Sequence, residues 1–74
     1  MARNADLKLN IKYAMDRVGM EPVEMAAALD VALSTYYWRM KEPEERLTIR
    51  DLHVIARKCS TTAAWLLGGT PAKR

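Results

Sequence analysis

Phenylalanine is absent from this 74-residue chain, cysteine and histidine occur once each, and glycine and proline three times each. A single thiol, Cys59, cannot form an internal disulfide, so a reducing, cytoplasmic compartment is expected. One His and one Cys cannot assemble a zinc site. There is no glycine-rich phosphate loop and no nucleophile paired with a base, so no enzyme activity, metal or cofactor is expected. The scarcity of turn pairs that punctuate strands excludes a β-rich fold and predicts an all-α one. No apolar run approaches the ~18 residues of a membrane span, so no membrane partner is expected. The N-terminus lacks the apolar centre of a signal peptide, and no internal repeat is visible.

Half of the residues are apolar, rich in Ala, Leu and Met, and 12 Lys and Arg stand against 9 Asp and Glu, a formal charge of +3. The length sets one domain, residues 1–74, with a thin core. The basic excess is a modest bias toward a polyanionic partner.

Helices are expected at about 5–18, 22–29, 33–41, 48–59 and 62–67, with a basic arm around Arg3 and a basic tail over 70–74. Asn4 or Asp6 can cap the first helix. Leu7, Ile11, Ala14, Met15 and Val18 fall on one stripe of it, and Gly19 is its expected stop. Pro22 suits the first turn of the second helix, where its missing N–H matters least. Asp30 follows that helix and is among the few non-glycine residues that tolerate a positive φ. Residues 42–46 read as a polar loop, with Pro43 ending the third helix and Glu42, Glu44 and Glu45 pointing away or pairing with Arg46 and Arg50. Thr48 and Asp51 form a capping-box-like start to the fourth helix. Leu52, Ile55, Ala56 and Cys59 form its inward stripe, and Thr62 can cap the fifth. Trp65 reads as core, and His53 as surface. The fold expected is a compact five-helix domain.

Pro22 to Lys41 organises the rest. A helix ending at Leu29, a tight turn at Asp30–Val31 and a second helix starting near Leu33 have the layout of a helix-turn-helix, whose second helix can enter a DNA major groove. Ala26 allows close helix approach, Val31 plugs the turn, and Tyr36 faces inward.

The order of Gly19-Met20, Met25-Ala26, Leu29, Val31, Leu52, Ile55-Ala56 and the ending Ala64-Trp65-Leu66-Leu67-Gly68-Gly69 resembles the lambda-repressor-like family, the Cro/CI or Xre-type helix-turn-helix domains of phages and bacteria. The resemblance runs from Leu7 to Gly69, and residues 34–41 with Pro43 and Thr48 look like a phage branch. It departs at Pro22, where many members carry a DNA-contacting Gln, and at Asp30, where glycine is usual. Met15 and Met40 stand where members pair a buried Arg with a Glu. Apolar packing in place of an ion pair is often neutral or stabilising.

The resemblance implies that Ala32, Leu33, Ser34, Tyr37, Trp38 and Lys41 face the groove and are the base-contact candidates. Ser34 and Tyr37 can hydrogen-bond, Leu33 can touch a thymine methyl, and Lys41 can reach guanine or phosphate. Arg39, Arg46, Thr48 and Arg50 are the backbone-contact candidates, although Arg39 can instead cover the first helix with its stem. Val54 and Leu67 are candidate homodimer contacts. A dimer would set two third helices about one DNA turn, ~34 Å, apart and read a palindromic operator.

The implied function is a sequence-specific, double-stranded-DNA-binding transcriptional regulator, a Cro-like repressor of phage or prophage type. An isolated DNA-binding domain and an antitoxin-like autoregulator are compatible with the size. The rival is a protein-binding antirepressor or modulator of the same fold that grips a regulator protein through Tyr37 and Trp38.

Overall fold

The computed structural model describes residues 7–68. The chain forms α1 (Leu7–Val18), α2 (Pro22–Leu29), α3 (Leu33–Lys41), α4 (Pro43–Arg46), α5 (Ile49–Lys58) and α6 (Ala63–Gly68). The basic arm with Arg3, the caps expected from Asn4 or Asp6, residues 5–6 of the first helix, Gly69 and the 70–74 tail lie outside the described residues.

In α1 the buried residues are Leu7, Asn10, Ile11, Ala14 and Met15, the i, i+3, i+4, i+7, i+8 pattern of one helix face. Val18, expected on that stripe, is exposed instead. It lies one residue before the stop, where Gly19 turns the chain with φ 71°.

The endings of α1, α2 and α5 share one geometry. The amide of Met20 donates to the Met15 carbonyl at 2.9 Å, that of Val31 to Ala26 at 3.0 Å, and that of Thr61 to Ala56 at 2.9 Å. Each bond spans a left-handed residue: Gly19 at φ 71°, Asp30 at 62° and Ser60 at 58°. These are Schellman endings, which satisfy carbonyls left over in the last turn. Asp30 therefore does adopt the positive φ expected of it.

The starts are equally local. Pro22 opens α2, and the Glu24 carboxylate accepts from the Glu21 amide at 2.8 Å. Thr48 and Asp51 cap α5 reciprocally, each side chain accepting the other's backbone N–H at 3.1 Å. The Thr62 hydroxyl accepts from the Trp65 amide at 3.1 Å and opens α6. Ala32 precedes α3 without a side-chain cap.

Residues 42–46 are not a plain loop. Pro43–Arg46 is a single helical turn, so the chain has six described helices rather than five. Pro43 supplies a φ suited to a first helical residue and lacks the N–H that would go unpaired there. It is also buried, which anchors the turn against the body.

Helix α2 packs on α3 and α5, α6 packs on α1 and α5, and α4 touches α1 and α3. The result is a compact all-α body with no strand among the described residues. Ile11, Met25, Ile55 and Leu66 are fully buried, one from each of α1, α2, α5 and α6, with Cys59 beside them. Tyr36 brings α3 into that core. Its hydroxyl donates to the Met15 sulfur at 3.3 Å, and Met40 packs against the same core. The two methionines therefore pack apolar groups between α1 and α3. Asn10 is buried as well, and its amide donates to the Leu66 carbonyl at 3.0 Å, tying α1 to α6. Trp65, expected in the core, is half-buried and lies against Tyr13 with ring centroids 6.1 Å apart.

Candidate nucleic-acid interface

Helix α3 carries two faces. At about 100° per residue, Leu33, Ser34, Tyr37, Trp38 and Lys41 fall within an arc of about 140°. All of them are exposed, as is Ala32 just before the helix. Tyr36 and Met40 take the opposite side toward the core. The base-contact candidates are thus brought together on one surface. Tyr37 is 51% and Trp38 54% exposed. Tyr37 also meets the inward Tyr36 edge-on, with centroids 5.7 Å apart, which ties the outer ring to the buried one.

The backbone-contact candidates divide. The Arg39 guanidinium donates to the Asp51 carboxylate at 3.1 Å, and both side chains are mostly buried. Asp51 also caps α5, so one carboxylate joins the last turn of α3 to the start of α5. Arg39 is accordingly engaged with α5 through Asp51. Arg46 lies with its guanidinium carbon 4.1 Å from the Trp38 ring centroid and donates to the Trp38 carbonyl at 2.7 Å. Its expected pairing with the neighbouring glutamates is replaced by this aromatic and carbonyl contact. Among the described residues the ion pairs are Arg39–Asp51 and Lys12–Asp16. Thr48 is exposed, but its hydroxyl oxygen accepts the cap bond. Arg50 is exposed on the first turn of α5.

The segment that follows Trp38 carries mixed charge. Lys41, Arg46 and Arg50 are interspersed along the chain with Glu42, Glu44 and Glu45, all three of which are exposed. Ile49, at the start of α5, is 66% exposed, which was not foreseen. Its place directly after the Thr48 cap, outside the inward stripe of α5, was the available signal. The dimer candidates differ: Leu67 on α6 is 49% exposed, whereas Val54 on α5 is half-buried.

Burial pushes the Cys59 thiol above its usual range against an opposing pull from Arg17, so the thiol stays protonated near neutral pH. Burial, then Tyr37 and Cys59, likewise raise the Tyr36 phenol. His53 is exposed. Among the described residues no group of three His, Cys, Asp or Glu could hold a metal ion, and no helix is long and apolar enough to cross a membrane.

No protein-family model matches the chain, and neither a curated protein nor a solved structure does.

Proposed function

We propose that this protein is a DNA-binding transcriptional regulator that lays α3 in the major groove of duplex DNA. The observation that carries the reading is the arc of α3 from Leu33 to Lys41, exposed along its length while Tyr36 and Met40 hold its back to the core. A helix presented in this way, preceded by a short helix and a tight turn, suits major-groove entry. On this reading α2, the Asp30 turn and α3 are the helix-turn-helix of a lambda-repressor-like domain, and α4 is a one-turn insertion after it.

Tyr37, Trp38 and Leu33 supply apolar and aromatic contact with thymine methyls and sugars, and Ser34 and Lys41 supply polar contact. Arg50 is the best placed of the backbone-contact candidates, because Arg39 is engaged with Asp51. Arg46 serves DNA through Trp38, by holding the indole and adding charge beside it. A homodimer using the α6 surface around Leu67 would present two such helices to a palindromic operator. On this reading the protein acts as a repressor in the reducing cytoplasm.

The second reading is a regulator-binding module that uses the same surface. It is favoured by the exposed Glu42, Glu44 and Glu45 in the segment just after α3, since carboxylates close to a reading helix repel phosphates and suit a basic protein partner.

The test is enrichment from random duplexes followed by anisotropy titrations at two salt concentrations. DNA binding is expected to weaken steeply with salt, because each neutralised phosphate contributes a slope near −0.9 in log K against log salt. Trp38→Ala and Lys41→Ala should each weaken specific binding about 10-fold or more, in line with ~1–3 kcal/mol per good contact. Folded protein that binds no duplex at low salt, or variants that bind as well as the parent, would sink the DNA reading and favour the protein partner.

A further inference from the structure

Between α1, the start of α2 and α3 lies an open cleft of about 290 Å³. We propose that this cleft binds a small aromatic carboxylate. The proposal stands on the cleft alone, whichever macromolecule α3 engages.

The size decides the class first. Small-molecule sites run from ~300 to 1,000 Å³, so this cleft sits at the lower limit and suits one or two fused rings, not a nucleotide. The lining decides the chemistry of the body. Met15, Met20 and Met40 converge there with Ile11 and the rings of Tyr36 and Tyr37. Methionine is unbranched and polarizable, adapts its shape, and makes favourable sulfur contacts with ring edges. The Tyr36 hydroxyl is already committed to the Met15 sulfur, so Tyr36 offers its ring and not a donor. The floor is therefore apolar, adaptable and suited to a flat ring.

The rim decides the charge. Lys8 and Lys12 lie one helical turn apart on the α1 side, with Asp16 one turn further on. Asp16 pairs with Lys12 at 3.8 Å, which leaves Lys8 without an ion-pair partner among the described residues and the rim with one positive charge in excess. A ring seated among the methionines would point a carboxylate toward Lys8. A neutral ring would forgo that contact, and a second negative charge would meet Asp16.

The experiment is an amide-resolved NMR titration of the full chain with 2-naphthoate, run beside 2-naphthamide, which has the same ring system and no charge. Saturable shifts are expected for 2-naphthoate at the amides of Ile11, Met20, Tyr37 and Met40, with 2-naphthamide at least fivefold weaker. Lys8→Gln should lower 2-naphthoate affinity to the level of the amide and leave the amide unchanged, while Lys8→Arg should retain it. Lys8 is exposed, so these variants should keep dispersed spectra. Shifts that do not saturate, that scatter over the surface, or that are indifferent to Lys8→Gln would overturn the proposal. So would a cleft silent to 2-naphthoate but shifted by an acidic tryptophan-containing peptide, which would make it a protein-docking groove. Tyr37 belongs to both the cleft and the outer face of α3, so the carboxylate titration is run without DNA and the DNA titration without carboxylate, and loss of either reading leaves the other measurable.

Discussion

Arg46 lies over an indole that is itself half-exposed, and the contact is held from two directions: the cation on the ring and an N–H on the Trp38 carbonyl. Cation–π pairs at exposed sites contribute ~0.5–1 kcal/mol. A double-mutant cycle with Arg46→Met and Trp38→Leu should therefore give a coupling of about that size in urea unfolding. A coupling indistinguishable from zero would mean that the guanidinium does not restrain the ring. Asn10 is a stronger case, because its side-chain amide is buried and satisfies a carbonyl at the end of α6. Asn10→Ala removes the bond and leaves a hole, so a loss on the order of 2–3 kcal/mol is expected from equilibrium unfolding. Neither role was foreseen. Asn10 does sit three residues after Leu7 and one before Ile11, inside the inward arc of α1, and that register was the signal available. Tyr36 was legible as inward from its place in the helix-turn-helix pattern, and Trp38 as outward from the resemblance, which assigns it to the groove-facing positions.

Each helix is delimited by a few residues, and at this scale the sequence was most readable. The Thr48–Asp51 cap, the Thr62 cap, Pro22 and the Asp30 turn all occur where residue chemistry places them. The one-turn α4 was missed because a four-residue helix has no periodicity to detect. The shared ending of α1, α2 and α5 leads to a prediction. A Cβ at Gly19 would meet nothing within 4 Å, so Gly19→Ala carries only the backbone penalty of a left-handed residue, about 1–2 kcal/mol. Asp30→Gly and Ser60→Gly remove such a penalty and should be neutral or stabilising by up to about 1 kcal/mol, the flexibility of glycine offsetting part of the gain. Thermal unfolding of the three variants checks the signs, and a destabilising Ser60→Gly would contradict the strain argument. The caps give a second ranking. Thr48→Ala loses one cap bond, about 1 kcal/mol. Asp51→Ala also strands the partly buried Arg39, so its loss should be larger, on the order of 2–3 kcal/mol. Urea midpoints of the pair would settle the order.

For the molecule as a whole, Tyr36 and Cys59 share a region of the core and both are held protonated by burial. In the unfolded chain each would lose its proton at its ordinary value, near 9.0 for the thiol and 10.0 for the phenol. Above those values the folded state binds more protons than the unfolded one, so stability falls as pH rises. The decline should begin near pH 9 with Cys59, continue through the range of Tyr36, and stop once the folded groups also ionise. Unfolding free energies between pH 7 and 10.5 should show it, and Cys59→Ala should lack the earlier part of the slope. A Cys59→Ala slope equal to the parent's would assign the alkaline loss elsewhere.

The sequence by itself determined the all-helical class, the helix limits to within a residue or two over most of the described chain, the left-handed turn at Asp30 and the outward face of α3. These depend on residues close in sequence, through periodicity, caps and φ preferences. Only the tertiary structure decided what the side chains meet: Arg39 with Asp51, Arg46 on Trp38, Asn10 with Leu66, and the methionine-lined cleft between α1 and α3. Most of those partners lie a dozen to more than fifty residues apart in sequence, or belong to helices that follow one another closely but pack at angles no local pattern encodes. Long flexible side chains such as arginine choose among several neighbours, and the choice is made only when the helices have docked.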